Sequence, residues 1–193
     1  DRAALLLRRA VELFEACGSQ YGIASTYNNL ADLLRKDGDP QGAEAGFRQA
    51  LTTFRRVGSP DAVIPLLNLA ILLTERDEHA PAREHLRAGL RLADQSGNGI
   101  LSGFAHALSL PSAAALQSWG RWSDHVAGAR TLTAAGVFDP DVAAALQRAG
   151  IEAARRERWT EAKEVLALSR AHWQGLGRQW EVDRVQKALD AIG

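Results

Sequence analysis

The histidines and the single cysteine are the residues of this sequence best suited to ligate a metal ion or to act as nucleophiles. Zinc sites on helices often use two histidines four residues apart, because that spacing places both imidazoles on one face. No two of the histidines have this spacing; they are His79, His85, His106, His125 and His172. Cys17 has no second cysteine with which to form a zinc site or an internal disulfide. The sequence therefore predicts no metal site.

The sequence also lacks the spacing of residues that a phosphate-binding loop or a catalytic triad requires. Gly97, Gly99 and Gly103 are too sparse for a phosphate-binding loop, and no predicted strand precedes them. Serine, histidine and aspartate are all present, but nothing in their spacing fixes three of them together. We therefore predict that the chain is not an enzyme, with no catalytic residues and no cofactor.

Composition and charge restrict the classes of partner. Lys plus Arg and Asp plus Glu both number 23, so the formal net charge is zero and no long-range field attracts nucleic acid or an anionic membrane. No apolar run approaches the roughly 20 residues that span a bilayer. We expect a cytoplasmic protein that binds neither nucleic acid nor membrane directly. Because the sequence opens on Asp1 and contains no methionine, we also expect it to be cut from a longer protein.

Five glycines recur at one period along the chain. Gly18, Gly58, Gly97, Gly136 and Gly177 are separated by 40, 39, 39 and 41 residues, and each follows a stretch with helical spacing of apolar residues. Glycine is favoured just after a helix because the chain there often turns through a left-handed conformation. The period therefore predicts a series of similar units.

Each unit has the order helix, short turn, helix, glycine. In one unit the spacing predicts helices at 23–36 and 40–57, with Asp39 as the N-cap of the second helix. In the next it predicts helices near 60–76 and 80–96. The predicted single domain spans 1–193 and comprises a half repeat at 1–18, repeats at about 19–58, 59–97, 98–136 and 137–177, and a capping helix at 178–193.

The repeat at 98–136 departs from the others. Gly97 and Trp122 are 25 residues apart, whereas the equivalent Gly58 and His79 of the preceding repeat are 21 residues apart. This difference suggests that about one turn has moved from the second helix of the repeat to the first. Pro111 falls inside that first helix and is expected to kink or break it, because proline lacks an N–H donor and crowds the preceding turn. The irregularity marks either a binding site or a degenerate repeat.

The large and small apolar residues of the units follow one order. Tyr27, Leu30, Ala31, Leu34, Ala43, Phe47 and Ala50 form the series once; Leu66, Leu69, Ala70, Leu73, Ala82, Leu86 and Gly89 form it again; Leu146, Ala149, Gly150, Ala153, Ala162, Leu166 and Ser169 form it a third time. This series resembles the tetratricopeptide repeat, in the longer variant found in bacterial signalling and regulatory proteins. The resemblance implies an all-α fold, a right-handed superhelical α-α solenoid of helix hairpins with a C-terminal capping helix.

The resemblance also implies where a ligand would bind. In the family the first helix of each hairpin lines a concave groove, and the residue before the patterned leucine points into it. In the four successive repeats of this sequence, that residue is Asn29, Asn68, His106 and Arg148. Helical spacing adds neighbours on the same face, so the predicted peptide-binding groove comprises Asn28, Asn29, Asp32, Arg35, Leu67, Asn68, Ile71, His106, Gln147, Arg148 and Arg155. Leu67 and Ile71 belong either to this groove or to the core.

Two functions remain open from the sequence. The first is a non-catalytic scaffold or regulatory module of a larger signalling protein, which holds a protein or peptide in the concave groove. Arg148 and Arg155, two helical turns apart, could then receive an acidic side chain. The alternative is a self-association or small-ligand-sensing domain that controls a fused DNA-binding, ATPase or kinase effector, in which case the chain would form a homo-oligomer or bind a small molecule.

Overall fold

The computed structural model of this chain describes residues 2–193, and within that range it contains helices and turns but no strand. The helices are α1 (Arg2–Ala16), α2 (Gln20–Lys36), α3 (Pro40–Arg56), α4 (Val63–Glu75), α5 (His79–Ser96), α6 (Gly99–Ala115), α7 (Trp122–Ala134), α8 (Pro140–Arg155), α9 (Trp159–Gly175) and α10 (Gln179–Asp190). Single 3-10 turns at Pro60–Ala62 and Trp119–Arg121 precede α4 and α7. The predicted all-α class is confirmed.

Side-chain caps set the start of several helices. Asp39 accepts a hydrogen bond from Gly42 N at 2.9 Å at the start of α3, and Asp139 accepts one from Val142 N at 2.9 Å at the start of α8. Both aspartates precede a proline, which suits the first helical position because no donor is needed there. Asp39 and Asp139 therefore begin helices as their sequence context predicts.

The five periodic glycines end helices in the left-handed conformation, with φ between 66° and 73°. Each lies at the turn that leads from one hairpin to the next. The turn inside each hairpin also contains a left-handed residue, and here the sequence carries less signal. Gly38 occupies it once, but Asp77, Gln117 and Glu157 occupy it in the following hairpins with φ of 59°, 53° and 58°. These side chains tolerate a backbone conformation for which glycine is the usual choice.

Consecutive helices pack as antiparallel hairpins, α2 with α3, α4 with α5, α6 with α7 and α8 with α9, and α10 packs on α9. Small residues stand at the helix crossings: Ala43, Ala82 and Ala162 are fully buried. Their size allows two backbones to approach closely, while larger residues such as Phe47 and Leu86 fill the space between neighbouring hairpins. The hairpin solenoid predicted from the repeat is confirmed.

Helix α6 differs from the prediction made for the irregular repeat. It is continuous through Pro111, so the expected break is absent. Relative to the preceding hairpin, about one turn has moved to the first helix as expected: α6 has 17 residues against 13 in α4, and α7 has 13 against 18 in α5. A 3-10 turn precedes α7. Tertiary contacts hold α6 together: Pro111 is buried, and Arg156 donates to the carbonyl oxygens of Ala114 and Ala115 at 3.0 and 2.9 Å. The last carbonyls of a helix have few partners within it, and that of Ala114 accepts in addition from Gln117 N at 3.1 Å.

The terminal helices have contrasting surfaces. In α10, Val182 and Val185 are buried against α9, while Arg184 is exposed, which is the pattern expected of a cap. Helix α1 instead leaves Leu6 and Leu13 largely exposed. None of the helices among residues 2–193 has the length and apolar character needed to cross a membrane.

Candidate binding surface on the inner face

The first helices of the hairpins, α2, α4, α6 and α8, form one side of the solenoid, which we call the inner face. Arg35 in α2 donates from Nη2 to both carboxylate oxygens of Asp141 in α8 at 3.0 Å. Arg148 in α8 donates from Nη1 to the carbonyl oxygen of Thr74 in α4 at 2.8 Å. The first contact joins two residues that are 106 positions apart in the sequence, and the second joins two that are 74 positions apart. The array is therefore curved with its first helices on the inside.

Arg35 is the centre of an ionic cluster on this face. Its guanidinium contacts the carboxylates of Asp32, Glu75 and Asp141 at 2.9, 2.6 and 3.0 Å, and its side chain is only 6% exposed. Burial alone would raise the pKa of Asp32, but hydrogen bonds from Lys36 and Arg35 outweigh it and hold that pKa below its ordinary value. Asp32 and Arg35, predicted as open groove residues, are thus occupied in linking three helices.

The asparagines of the predicted series form a pair across two helices. Asn68 in α4 donates from Nδ2 to Oδ1 of Asn28 in α2 at 3.0 Å. Asn28 is 7% exposed, whereas the adjacent Asn29 is exposed. Asn28 therefore links neighbouring hairpins, and Asn29 is left accessible to a ligand.

The structure places His106 in the α6–α7 hairpin, away from the cavities of the inner face. Its Nδ1 lies 3.0 Å from Nδ1 of His125 in α7. Its ring stands over Gly128, where a Cβ atom would come within 2.3 Å of the imidazole. Burial lowers the pKa of both histidines, and the nearby His106 helps to lower that of His125 to about 4. The ring of His106 therefore packs against α7, where the missing side chain at Gly128 leaves room for it.

Leu67 and Ile71 have different environments. Leu67 is 5% exposed and packs in the core with Leu86 and Leu90 of α5, and it also lines one cavity of the inner face. Ile71 is partly buried and lies on the wall of two cavities. Its side chain is therefore accessible from the inner face.

The largest cavity on the inner face has a volume of about 620 Å³ and is bounded by α6, α8, α10 and the turn before α5. It is lined by three of the residues expected in the groove, Gln147, Arg148 and Arg155, together with Ile151 and Arg184. Gln147 accepts a hydrogen bond from Arg184 at 3.0 Å. Arg155 has a side chain that is 72% exposed and pairs with Glu152 at 3.3 Å. We call this the large cavity.

A second cavity of about 270 Å³ lies where α4 and α6 meet the start of α8. It is lined by Ile64, Leu67, Asn68, Ile71, Leu101, Phe104, Leu108, Asp139 and Asp141. A narrow cavity of about 40 Å³ shares Ile71, Leu108 and Asp141 with it and adds Thr74 and Glu75. We call these two together the acidic compartment. Because the narrow cavity also shares Pro111, Ala144 and Arg148 with the large cavity, the three form one continuous surface.

The lining residues not predicted from the sequence include Asp139, Asp141 and Arg184. Asp139 is the N-cap of α8, Asp141 belongs to the first turn of α8, and Arg184 lies on the capping helix α10. The position of Asp139 and Asp141 directly after a turn was the only indication in the sequence that they could line a site. Their proximity to α4 depends on the curvature of the whole array. The surface presents apolar walls with charges of both signs, which suits side chains of another polypeptide.

Comparison with known proteins agrees with this architecture. Residues 22–95 match the family model described as tetratricopeptide repeat. Among solved structures, the crystal structure of BtubC (BKLC) from P. vanneervenii is similar to this chain, with a TM-score of 0.65 and 17% sequence identity. The alignment covers 99% of this chain and 89% of that chain, and at this identity it concerns the fold alone. None of the proteins with curated descriptions matches the sequence.

Proposed function

Since this chain belongs to the tetratricopeptide repeat family over residues 22–95 and folds as a helical solenoid over residues 2–193, we propose that it is a non-catalytic scaffold that holds a protein or peptide on its inner face. Tetratricopeptide repeats are protein-interaction modules, so a protein partner follows from the family. The use of the inner face and a regulatory role within a larger cytoplasmic signalling protein are our extensions. The regulatory role rests on the resemblance of the 39- to 41-residue repeat to the arrays found in signalling proteins.

The observation that carries the proposal is the continuous surface formed by the large cavity and the acidic compartment. An extended segment needs successive pockets that alternate in character, because its side chains project at regular intervals. The apolar walls of the acidic compartment and the arginines of the large cavity supply such a sequence. The exposed Asn29 offers both a donor and an acceptor to a peptide backbone.

A displayed library of random peptides, selected against the purified protein, tests this proposal. Ala144 is exposed on α8 and lines the inner cavities, so Ala144→Gln places a long uncharged side chain in the proposed path. Ala167 is exposed on α9, the second helix of the same hairpin, and Ala167→Gln is the matched control. We expect selected peptides to bind wild-type protein and the Ala167 variant, and to bind the Ala144 variant about tenfold less tightly. Equal binding to both variants would place the ligand elsewhere.

Self-association has one observation in its favour. Leu5, Leu6 and Leu13 of α1 are 68%, 61% and 57% exposed, and a group of exposed apolar side chains favours contact between copies. If α1 mediates this contact, sedimentation velocity should show a concentration-dependent dimer that Leu6→Glu with Leu13→Glu abolishes. A wild-type protein that stays monomeric at about 100 μM, well above a micromolar Kd, would exclude this candidate.

A further inference from the structure

The acidic compartment has a chemistry that specifies what it can hold. We propose that it receives the side chain of a lysine or arginine from the bound partner segment. This inference rests on the proposed function and names the chemistry of its ligand.

An unpartnered hydroxyl group points to a ligand in this compartment. Thr74 is 7% exposed and lines the narrow cavity, yet its Oγ1 has no hydrogen-bond partner among the described residues. A buried polar atom without a partner costs free energy that a bound donor would recover. Asn68, whose amide nitrogen donates to Asn28, also lines the wider cavity. Arg148 lines the narrow cavity but donates to the carbonyl oxygen of Thr74, so the Oγ1 atom of Thr74 is left without a donor.

The charges around the compartment have an excess of negative sign. The carboxylates that line the compartment are Glu75, Asp139 and Asp141, and the adjoining ionic cluster adds Asp32. The cations of that cluster are Arg35 and Lys36. Including Arg148 at the far end, with its partner Asp77, leaves the excess of two negative charges unchanged. Burial raises the pKa of Asp139, which is the expected effect on a carboxylate not neutralised by a close cation.

The walls of the compartment combine apolar side chains with these acceptors. Ile64, Ile71, Leu101 and Phe104 line the wider cavity, which Asp139 and Asp141 also line, and Thr74 and Glu75 line the narrow cavity. A lysine or arginine side chain has a matching combination, an aliphatic stem that ends in N–H donors with a positive charge. An acidic side chain would meet like charges, and a purely apolar one would leave Thr74 Oγ1 without a donor and Asp139 without a close cation.

A small-molecule probe tests the compartment without knowledge of the partner. Titration of n-hexylammonium into methyl-labelled protein should shift the NMR signals of Ile71, Leu101 and Leu108 in a saturable manner at millimolar concentration. Hexanoate has a similar stem and the opposite charge, and it should leave these signals unchanged. Equal shifts with both probes, or shifts with neither, would overturn the proposal.

Two variants test the acceptors separately. Asp139→Asn removes the charge but keeps the helix cap, because asparagine caps as well as aspartate; it should weaken hexylammonium binding about fivefold. Asp39→Asn changes the equivalent cap of α3, which is exposed and remote from the compartment, and should bind like wild type. Thr74→Val should weaken binding about threefold while the protein stays folded, because Oγ1 has no partner to lose. Wild-type affinity in both Asp139→Asn and Thr74→Val would overturn the assignment.

The peptides selected in the preceding experiment separate this inference from the proposed function. We expect them to share a lysine or arginine whose replacement by norleucine lowers affinity at least about fivefold for wild-type protein, but less for Asp139→Asn. Peptides that bind the inner face without any such residue would overturn the inference and leave the scaffold function standing. Failure to select any peptide, with hexylammonium still bound at the compartment, would instead overturn the peptide-scaffold function.

Discussion

At the scale of single residues, Asn29 and Asn68 occupy equivalent sequence positions but have different roles. Asn68→Ala would leave the nearly buried Asn28 Oδ1 without its donor, so we expect the free energy of unfolding to fall by about 1 to 2 kcal/mol. Asn29→Ala should not change stability, but it should weaken selected peptides by about 0.5 to 1.5 kcal/mol. Urea unfolding and fluorescence anisotropy measure the two effects. A stability loss in Asn29→Ala as large as that in Asn68→Ala would contradict this division.

His125 should make stability depend on pH. Burial first, then His106 and Arg121, lower its folded-state pKa to about 4, whereas the unfolded chain has the ordinary value near 6.5; nearby Asp124 opposes the shift only in part. The unfolded state therefore takes up the proton first as pH falls. The contribution of neutral His125 to the free energy of unfolding is therefore fully present above about pH 6.5, and it is lost progressively as the pH falls to about 4.

The partial exposure of the His125 ring reduces the size of this effect. We expect wild-type protein to lose about 2 kcal/mol relative to His125→Gln between pH 7 and pH 4. Urea titrations at four pH values, with each variant referred to its own stability at pH 7, give this difference. Parallel pH profiles for the two proteins would show that the pKa of His125 is not lowered in the folded state.

At the scale of the helix, the glycine after each hairpin is required for its conformation and not for its size. A Cβ atom at Gly97 would meet no atom within 4 Å, but φ there is +67°. Gly97→Ala should therefore cost about 1 to 2 kcal/mol. Gly99 also has open space but lacks the positive φ, so Gly99→Ala should be neutral or stabilise α6 by about 0.5 kcal/mol. Thermal unfolding of the two variants makes the comparison, and equal melting temperatures would contradict the argument.

The hairpin turns show how far a helix boundary depends on tertiary context. Gly38 signals its turn, whereas Gln117 and Glu157 adopt the same left-handed conformation without a sequence marker. The helices on either side fix the chain direction, and the local cost of about 1 to 2 kcal/mol is offset by their packing. The same reasoning applies to Pro111, whose expected break is absent because α6 is held by its neighbours.

At the scale of the whole molecule, Arg35 connects three helices that are distant in sequence. Its removal would leave the carboxylates of Glu75 and Asp141 close together without their common partner. We expect Arg35→Gln to lower the free energy of unfolding by about 2 to 3 kcal/mol, because the guanidinium is nearly buried while the carboxylates are partly solvated. Small-angle scattering should show a larger radius of gyration as the curvature relaxes.

Arg48→Gln provides the control for the Arg35 variant. Arg48 pairs with Glu44 on α3 and its side chain is 60% exposed, so the loss of this pair should cost no more than about 0.5 kcal/mol. Its radius of gyration should equal that of wild type. If Arg35→Gln behaved in the same way, the ionic cluster would not maintain the curvature.

The sequence by itself determined the repeat, the helices and the residues at the helix crossings. Helical periodicity, caps such as Asp39 and periodic glycines act within a few residues, so they can be recognised along the chain. The sequence also indicated that Gln147, Arg148 and Arg155 share a surface, because helical spacing within α8 places them on one face.

Only the tertiary structure decided which polar residues remain accessible. Arg35 and Asn28 are used by neighbouring helices, His106 turns toward Gly128, and Asp139 and Asp141 come to face α4. Each outcome depends on the angle at which one hairpin stacks on the next. Small differences in that angle accumulate over several repeats into the curvature that joins α2 to α8, and no local pattern encodes their sum.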